Sequence, residues 1–521
     1  CSVADGNGGS IAFAIATGTF KNCTTNTEGF GYLGDATGTF TDCSCRTGFG
    51  YGDGLTVSGT FINCKAQSNS FGFNIAGATT VTGKFYRCTA DAASFGNSAS
   101  GAYFEDCTVT NLGFGPPSFA ATMAGTYVRC KGGVGSFGVI NGSVLSGSFT
   151  DCEGGASSFG AGTTCTLSGK FTRCVGGDNS FGQQSSTLSG TFNYCIGGNA
   201  CFGYGASSAT ISTLSGAFYY CKGGDDCFGR NSSITSAAIF DHCVGRDRCF
   251  GQGANGLLGQ GCAGTFKHCV GRDACFGAGM TAGIKTAGTF EHCNARNGSF
   301  ASGAGSEASG TFRYCVSGDT SFGYAAAYGV GEAPIASGTF EYCRGGDNCF
   351  GSGTGNVGGV LFSGYAKGCR AGTGSFGSNY SGSGTASVST GAVLYDCEAG
   401  YQSFSLQTNT FGLMAGTMVN CKLITAGVVG VTDTLSPVSG RMENCQITTT
   451  AVNSSAITVS TNKARIYGCT LIGNGTGYGV TAAGAVNAAI AHCRMPATGI
   501  NVLVTNLIGT PYNVVDADIA T

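Results

Sequence analysis

The sequence predicts an all-β fold, a parallel and right-handed β-helix solenoid of about 21 coils with about 24 residues per coil. Three observations carry that expectation. The block Gly-Thr-Phe-x-x-Cys recurs 21 times, with small variations, at a mean step of 23.5 residues. The chain holds 94 glycines in 521 residues, against a typical usage of roughly 7%. Most of its 30 cysteines fall into two columns of that same period. A repeat of roughly 20–30 residues with β-type content is a solenoid signature, and parallel crossovers are right-handed by strong preference.

One coil justifies each element in turn. Lys170, Phe171 and Thr172 read as a short strand with Phe171 inward and Thr172 outward. A bend at Arg173 returns Cys174 to the interior. Gly176 and Gly177 are expected to supply positive-φ turns at a tight corner. A Ser/Cys-Phe-Gly block follows, with its Phe seven residues after the cysteine, as in Cys174 and Phe181 or Cys343 and Phe350. Cys43 and Phe49 are the one six-residue exception. Helical repeats are excluded, because each interior Gly costs about 1 kcal/mol relative to Ala. Coils stacked about 4.8 Å apart would make a rod on the order of 100 Å, in which every column becomes a ladder. The longest steps contain residues 324–334 and 378–389, which read as corner insertions. Repeat grammar divides the chain into residues 1–404, with Gly-Thr-Phe-x-x-Cys and Ser-Phe-Gly coils, and residues 405–521, with C-terminal coils and an exit segment.

Composition removes several function classes. Collagen needs a strict Gly-X-Y period and abundant proline, and only 6 prolines occur. Disorder needs low hydrophobicity and high net charge, but 42% of residues are hydrophobic and the formal charge is -2. The near-balance of 26 basic and 28 acidic residues leaves no footprint for nucleic acid. No run of 18 apolar residues suggests a membrane-inserting helix, and no signal peptide is visible before Cys1.

The main cysteine column has two readings. Disulfides between neighbouring coils would place Cβ atoms near the rung spacing, beyond the usual 3.5–4.5 Å. The simpler reading is a column of reduced, buried, small apolar side chains. Such a column suits folding in a reducing compartment. No CxxC pair or Cys/His cluster has zinc spacing, so no metal or other cofactor is expected. The second column, Cys201, Cys227, Cys249, Cys275 and Cys349, replaces the Ser of Ser-Phe-Gly and marks a tight spot. Cys45, Cys165 and Cys262 are isolated. Cys1 lies one coil before Cys23, with Asp5 placed as Asp178 is after Cys174, so the chain reads as starting mid-coil. An acylated N-terminal cysteine is the rival reading.

Two outward stripes carry the candidate chemistry. The residue before the main cysteine becomes a ring in seven consecutive coils: Tyr194, Tyr220, His242, His268, His292, Tyr314 and Tyr342. Rings with a polar handle suit sugar contact, and they also suit packing on one another. Four residues after the cysteine comes an Asp/Asn column that includes Asp178, Asp225, Asp247 and Asp273, with Arg246, Arg272 and Arg296 beside it. Turn capping by the Asp or Asn accounts for that column, with Arg–Asp pairing between coils relieving like-charge repulsion. Paired carboxylates for acid/base catalysis have candidates in Asp241 and Glu291, though every coil offers such pairs. A calcium site would need convergence of Asp225, Asp247 and Asp273. The Gly-x-Gly strings are corners, since no helix follows them.

The repeated Ser-Gly-Thr-Phe-x-x-Cys-Gly-Gly-x-x-Ser-Phe-Gly pattern, seen with variations at 168–182 and 337–351, resembles repeats of β-helical tail-fibre and tail-spike proteins of tailed bacteriophages. The resemblance covers about residues 18–404, and residues 405–521 resemble the pectate-lyase-like superfamily in pattern only. It implies a homotrimeric, extracellular virion appendage that contacts other tail or baseplate proteins and binds host-surface polysaccharide, sometimes cleaving it. Tryptophan is absent and no depolymerase motif stands out, which favours a structural or receptor-binding role. A cell-surface adhesin or filament subunit is the first alternative, and a polysaccharide lyase or hydrolase the second. Neither terminus reads as a cap for an open β-helix end, which also points to a trimer.

Overall fold

The structure is a computed structural model. It describes residues 2–3, 15–25, 29–52, 54–67, 69–72, 79–91, 94–96, 98–99, 101–115, 120–205, 211–251, 261–279, 285–303, 305–325, 333–353, 360–378, 386–404, 413–424, 435–438, 440–448, 456–459, 464–472, 480–482 and 489–494. Cys1, Asp5 and residues 501–521 lie outside the described residues. The chain forms two compact units, Cys1–Phe250 and Gly251–Thr521. The boundary at 404/405 in the repeat grammar falls inside the second.

Both units are parallel β-solenoids, and no helix occurs among the described residues. Like strand pairs with like, one coil apart and in register. In the first unit Phe149 pairs with Phe171 and Phe171 with Phe192. In the second, Phe266, Phe290, Phe312 and Phe340 follow one another in the same way. A second face repeats this with Leu145, Leu167 and Leu188. The third face is thinner, with single bridged residues such as Val175 to Ile196 and Ile196 to Lys222. Regular turns number about 15, about 24 residues apart, against the 21 expected. The Gly-Thr-Phe strand is present in all 21 coils. On the third face the residue directly after each main cysteine carries the bridge, as Val175, Asn294 and Val316 do.

The core is two columns of rings. Phe149 and Phe171 stack at 4.8 Å, and Phe159 and Phe181 at 4.7 Å. The two columns meet edge to face, with Phe171 and Phe181 at 6.2 Å and 87°. Such pairs contribute about 0.5–1.5 kcal/mol each beyond the area they bury. Lys170–Thr172 shows the expected alternation, with Phe171 buried and its neighbours outward. Cys174 is buried as expected. Its thiol reaches the carbonyl of Phe149, one coil back, at 3.3 Å. The same contact recurs from Cys195 to Phe171 and from Cys343 to Phe312. No disulfide forms among the described cysteines. A thiol suits this column because it is a small apolar group that can still donate weakly to a buried carbonyl.

Two expectations need correction. Gly176 and Gly177 do not supply the positive φ of the corner. That conformation is taken by Arg173 at φ 51°, Asn179 at 59°, Phe181 at 57° and Gly182 at 77°. The Gly-Gly pair is required by close approach instead. A Cβ on Gly176 would lie 2.6 Å from the Ser180 Cβ, and one on Gly177 would lie 2.8 Å from the Ala156 amide of the preceding coil. The long segments are also not corners throughout. Tyr324–Ala325 and Ala386–Val388 are paired strands, while 326–332 and 379–385 lie outside the described residues.

Candidate functional site

The third face carries both sequence-predicted stripes. Its ring column sits at the bend before each main cysteine. All seven residues there take the left-handed conformation, at φ 50–54°. Bulky side chains avoid that region, and glycine is its usual occupant. Glycine does occupy the same position at Gly368 and Gly468, at φ 62° and 61°. The bend is therefore fixed by the coil, and the ring is an addition to it.

In the first unit, Tyr194 stacks on Tyr220 at 4.8 Å and Tyr220 on His242 at 4.7 Å. His242 Nδ1 lies 2.7 Å from Asp241 Oδ1. In the second unit, His268 stacks on His292 at 5.1 Å, His292 on Tyr314 at 4.9 Å and Tyr314 on Tyr342 at 5.3 Å. The Tyr342 ring then lies over Gly368, where a Cβ would meet it at 2.6 Å. Ring faces are covered by neighbouring rings. What faces outward is a row of ring edges with hydroxyl and imidazole groups, about half exposed at Tyr194 and Tyr314. Upstream, the same column is ionic: Arg129 bonds Asp106 and Arg173 bonds Asp151 at 2.6 Å.

The Asp/Asn column is a ladder between coils. Asp178 Oδ1 accepts from the Asn199 amide at 2.7 Å, and Asn199 Oδ1 from the Asp225 amide at 2.9 Å. In the second unit, Asn297 receives the Asp319 amide and Asp319 receives the Asp347 amide, both at 2.9 Å. Capping was expected within one turn, but it reaches the next coil. The oxygen also fills the space beside the following glycine. A Cβ on Gly198, Gly224, Gly318 or Gly346 would lie 2.0–2.2 Å from it.

Arg246 and Arg296 stand where that glycine would be. Their ladder bonds are longer, 3.3 Å from the Asp247 amide to Asp225 and 3.1 Å from the Asn297 amide to Asp273. Arg272 occupies the same position one coil before Arg296, whose amide bonds its carbonyl at 3.1 Å. All three side chains are exposed. Arg272 and Arg296 form no ion pair among the described residues. Arg–Asp pairing between and within coils is seen one position on, between Asp226 and both Arg230 and Arg248. The Asp226 carboxylate holds the Arg248 guanidinium above its ordinary range. Arg230 also lies 5.6 Å from the Tyr204 ring centroid.

Sequence reasoning missed a third stripe between these two. Val175, Ile196 and Val244 in the first unit, and Val270 and Val316 in the second, are exposed. Their position directly after the main cysteine was the available signal. No group of metal-ligating side chains converges among the described residues. A shallow groove over the Ser-Gly corner, lined by Ser146, Gly147, Ser168, Gly169 and Lys170, is a separate feature.

Fold and site together define a parallel β-solenoid that displays ordered side-chain ladders on one face. Compared with protein-family models, curated proteins and solved structures, the chain matches none.

Proposed function

We propose that this chain is a structural and receptor-binding appendage of the phage tail-fibre or tail-spike type, working as a homotrimer outside the cell and recognising host-surface polysaccharide through its third face. The observation that carries the reading is the row of outward ring edges. Bulky rings are retained there in a backbone conformation that favours glycine, so their presence asks for a role beyond turning the chain. Ring edges with hydroxyl and imidazole groups, beside exposed valines, offer the mixture of hydrogen bonds and apolar contact that a sugar presents.

The test replaces His268 and Tyr314 with Ala and measures binding to polysaccharide extracted from the host surface, with circular dichroism as the check on folding. Weaker binding by a folded variant supports the reading. Unchanged binding means that the rings only pack on one another.

A further inference from the structure

We propose that the coils of His268 and His292 form a binding surface for an acidic polysaccharide, with the guanidinium groups of Arg272 and Arg296 holding its carboxylates. The inference rests on the glycan reading above and narrows it to polyuronate chains.

The ladder supplies the argument. Where glycine precedes the next ladder residue, as at Gly198, Gly224, Gly318 and Gly346, the bond between coils is 2.7–2.9 Å. At Arg296 it lengthens to 3.1 Å, and at Arg246, in the other unit, to 3.3 Å. A side chain at this position crowds the oxygen that the ladder depends on, so arginine is not there for the coil's benefit. Its charge is not used inside the fold either, since neither Arg272 nor Arg296 forms an ion pair among the described residues.

Charge and chemistry select the ligand. On these two coils the column holds Arg272 with Asp273 and Arg296 with Asn297. The Asp273 carboxylate already accepts the Asn297 amide. Two cations therefore face one committed carboxylate. In the coils that follow, glycine takes the arginine's position, as Gly318 before Asp319 and Gly346 before Asp347. Guanidinium forks match carboxylates in geometry as well as charge. The two arginines lie one rung apart, about 4.8 Å, close to the length of one sugar in an extended chain. Nucleic acid fits poorly, because its bases need open ring faces for stacking, and the faces of His268, His292 and Tyr314 are stacked on one another.

The experiment uses the full chain with polygalacturonate, neutral dextran and single-stranded DNA as probes, at low and high salt. Polygalacturonate is expected to bind in preference to both others, and salt is expected to weaken it. Arg272→Gly with Arg296→Gly gives the two positions the ladder's usual residue. That variant is expected to melt at or near the wild-type temperature yet lose about tenfold or more in polyuronate affinity. Arg272→Gln with Arg296→Gln keeps both stems and serves if the glycine pair does not fold. Unchanged polyuronate affinity in a folded variant overturns the proposal, as does a preference for DNA. Binding of dextran equal to that of polygalacturonate overturns the acidic selection and leaves the glycan reading in place. No binding to polygalacturonate overturns the proposal, and the glycan reading then stands or falls on the host-polysaccharide test.

Discussion

Asn297 Oδ1 accepts the amide of Asp319 at 2.9 Å and at the same time stands 2.0 Å from where a Cβ on Gly318 would be. One oxygen thus couples a hydrogen bond between coils to the absence of a side chain. The next nearest backbone atom to that Cβ is 3.1 Å away, so the crowding comes mainly from the Asn side chain.

Gly318→Ala should cost about 1–3 kcal/mol by overpacking. Asn297→Ala should cost about 0.5–1.5 kcal/mol for the lost bond. The double variant should be less destabilised than the sum, because removing the amide makes room for the new methyl. Urea unfolding of the three proteins gives the cycle. Strict additivity would mean that the two roles of Asn297 are independent.

Tyr127 stands in a Phe column, stacked 4.9 Å from Phe104 and 4.7 Å from Phe149. It is buried, and its hydroxyl has no hydrogen-bond partner. Tyr127→Phe should therefore stabilise the protein by about 1–3 kcal/mol, the cost of an unsatisfied buried polar group. Thermal and urea midpoints read the sign directly, and a lower midpoint would contradict the assignment.

The left-handed bend makes an unusual ranking at Tyr314, which has φ 52°. Tyr314→Ala removes the ring and keeps the strain, whereas Tyr314→Gly removes both. The glycine variant should be the more stable of the two by about 1 kcal/mol. In ordinary strand positions glycine is the worse choice, so a calorimetric comparison of the pair separates the two cases.

Alkali should unfold the protein. Burial pushes the Cys349 thiol up to about 12, and the neighbouring thiols push Cys445 and Cys469 up to about 12. In the unfolded chain the same thiols ionise near 9. A folded pKa above the unfolded one gives stability that is complete below pH 9 and is lost as pH climbs towards 12. Each such thiol removes about 1.4 kcal/mol per pH unit in that window. Urea midpoints on either side of pH 9 check the sign, and a flat profile above it would refute the account.

Much of this fold can be read in the sequence because each column is written many times over. Phe171 could be placed inward from strand alternation and Cys174 from the bend that follows, and the structure buries both. What the period conceals is bonding between columns. The spacing of Asp178 and Asn199 shows that they share a column, but not that the side chain of one caps the backbone of the other. The roles of Gly176 and Gly177 were hidden for the same reason, since their constraints come from Ser180 and from the preceding coil. Only the Arg246, Arg272 and Arg296 exceptions hinted that the second glycine answers to its neighbour.

Contact between equivalent residues also makes the coil a unit of inheritance. In the first unit Phe171, Phe192 and Phe218 meet in the same register. Excision of 175–195 would set Phe171 against Phe218 in that same register. Unequal crossing-over between repeats can therefore add or drop a coil in a single event without a folding intermediate stage of evolution. Surface stripes would travel with their coils, so the length of the solenoid and the chemistry it displays can change by the same recombination.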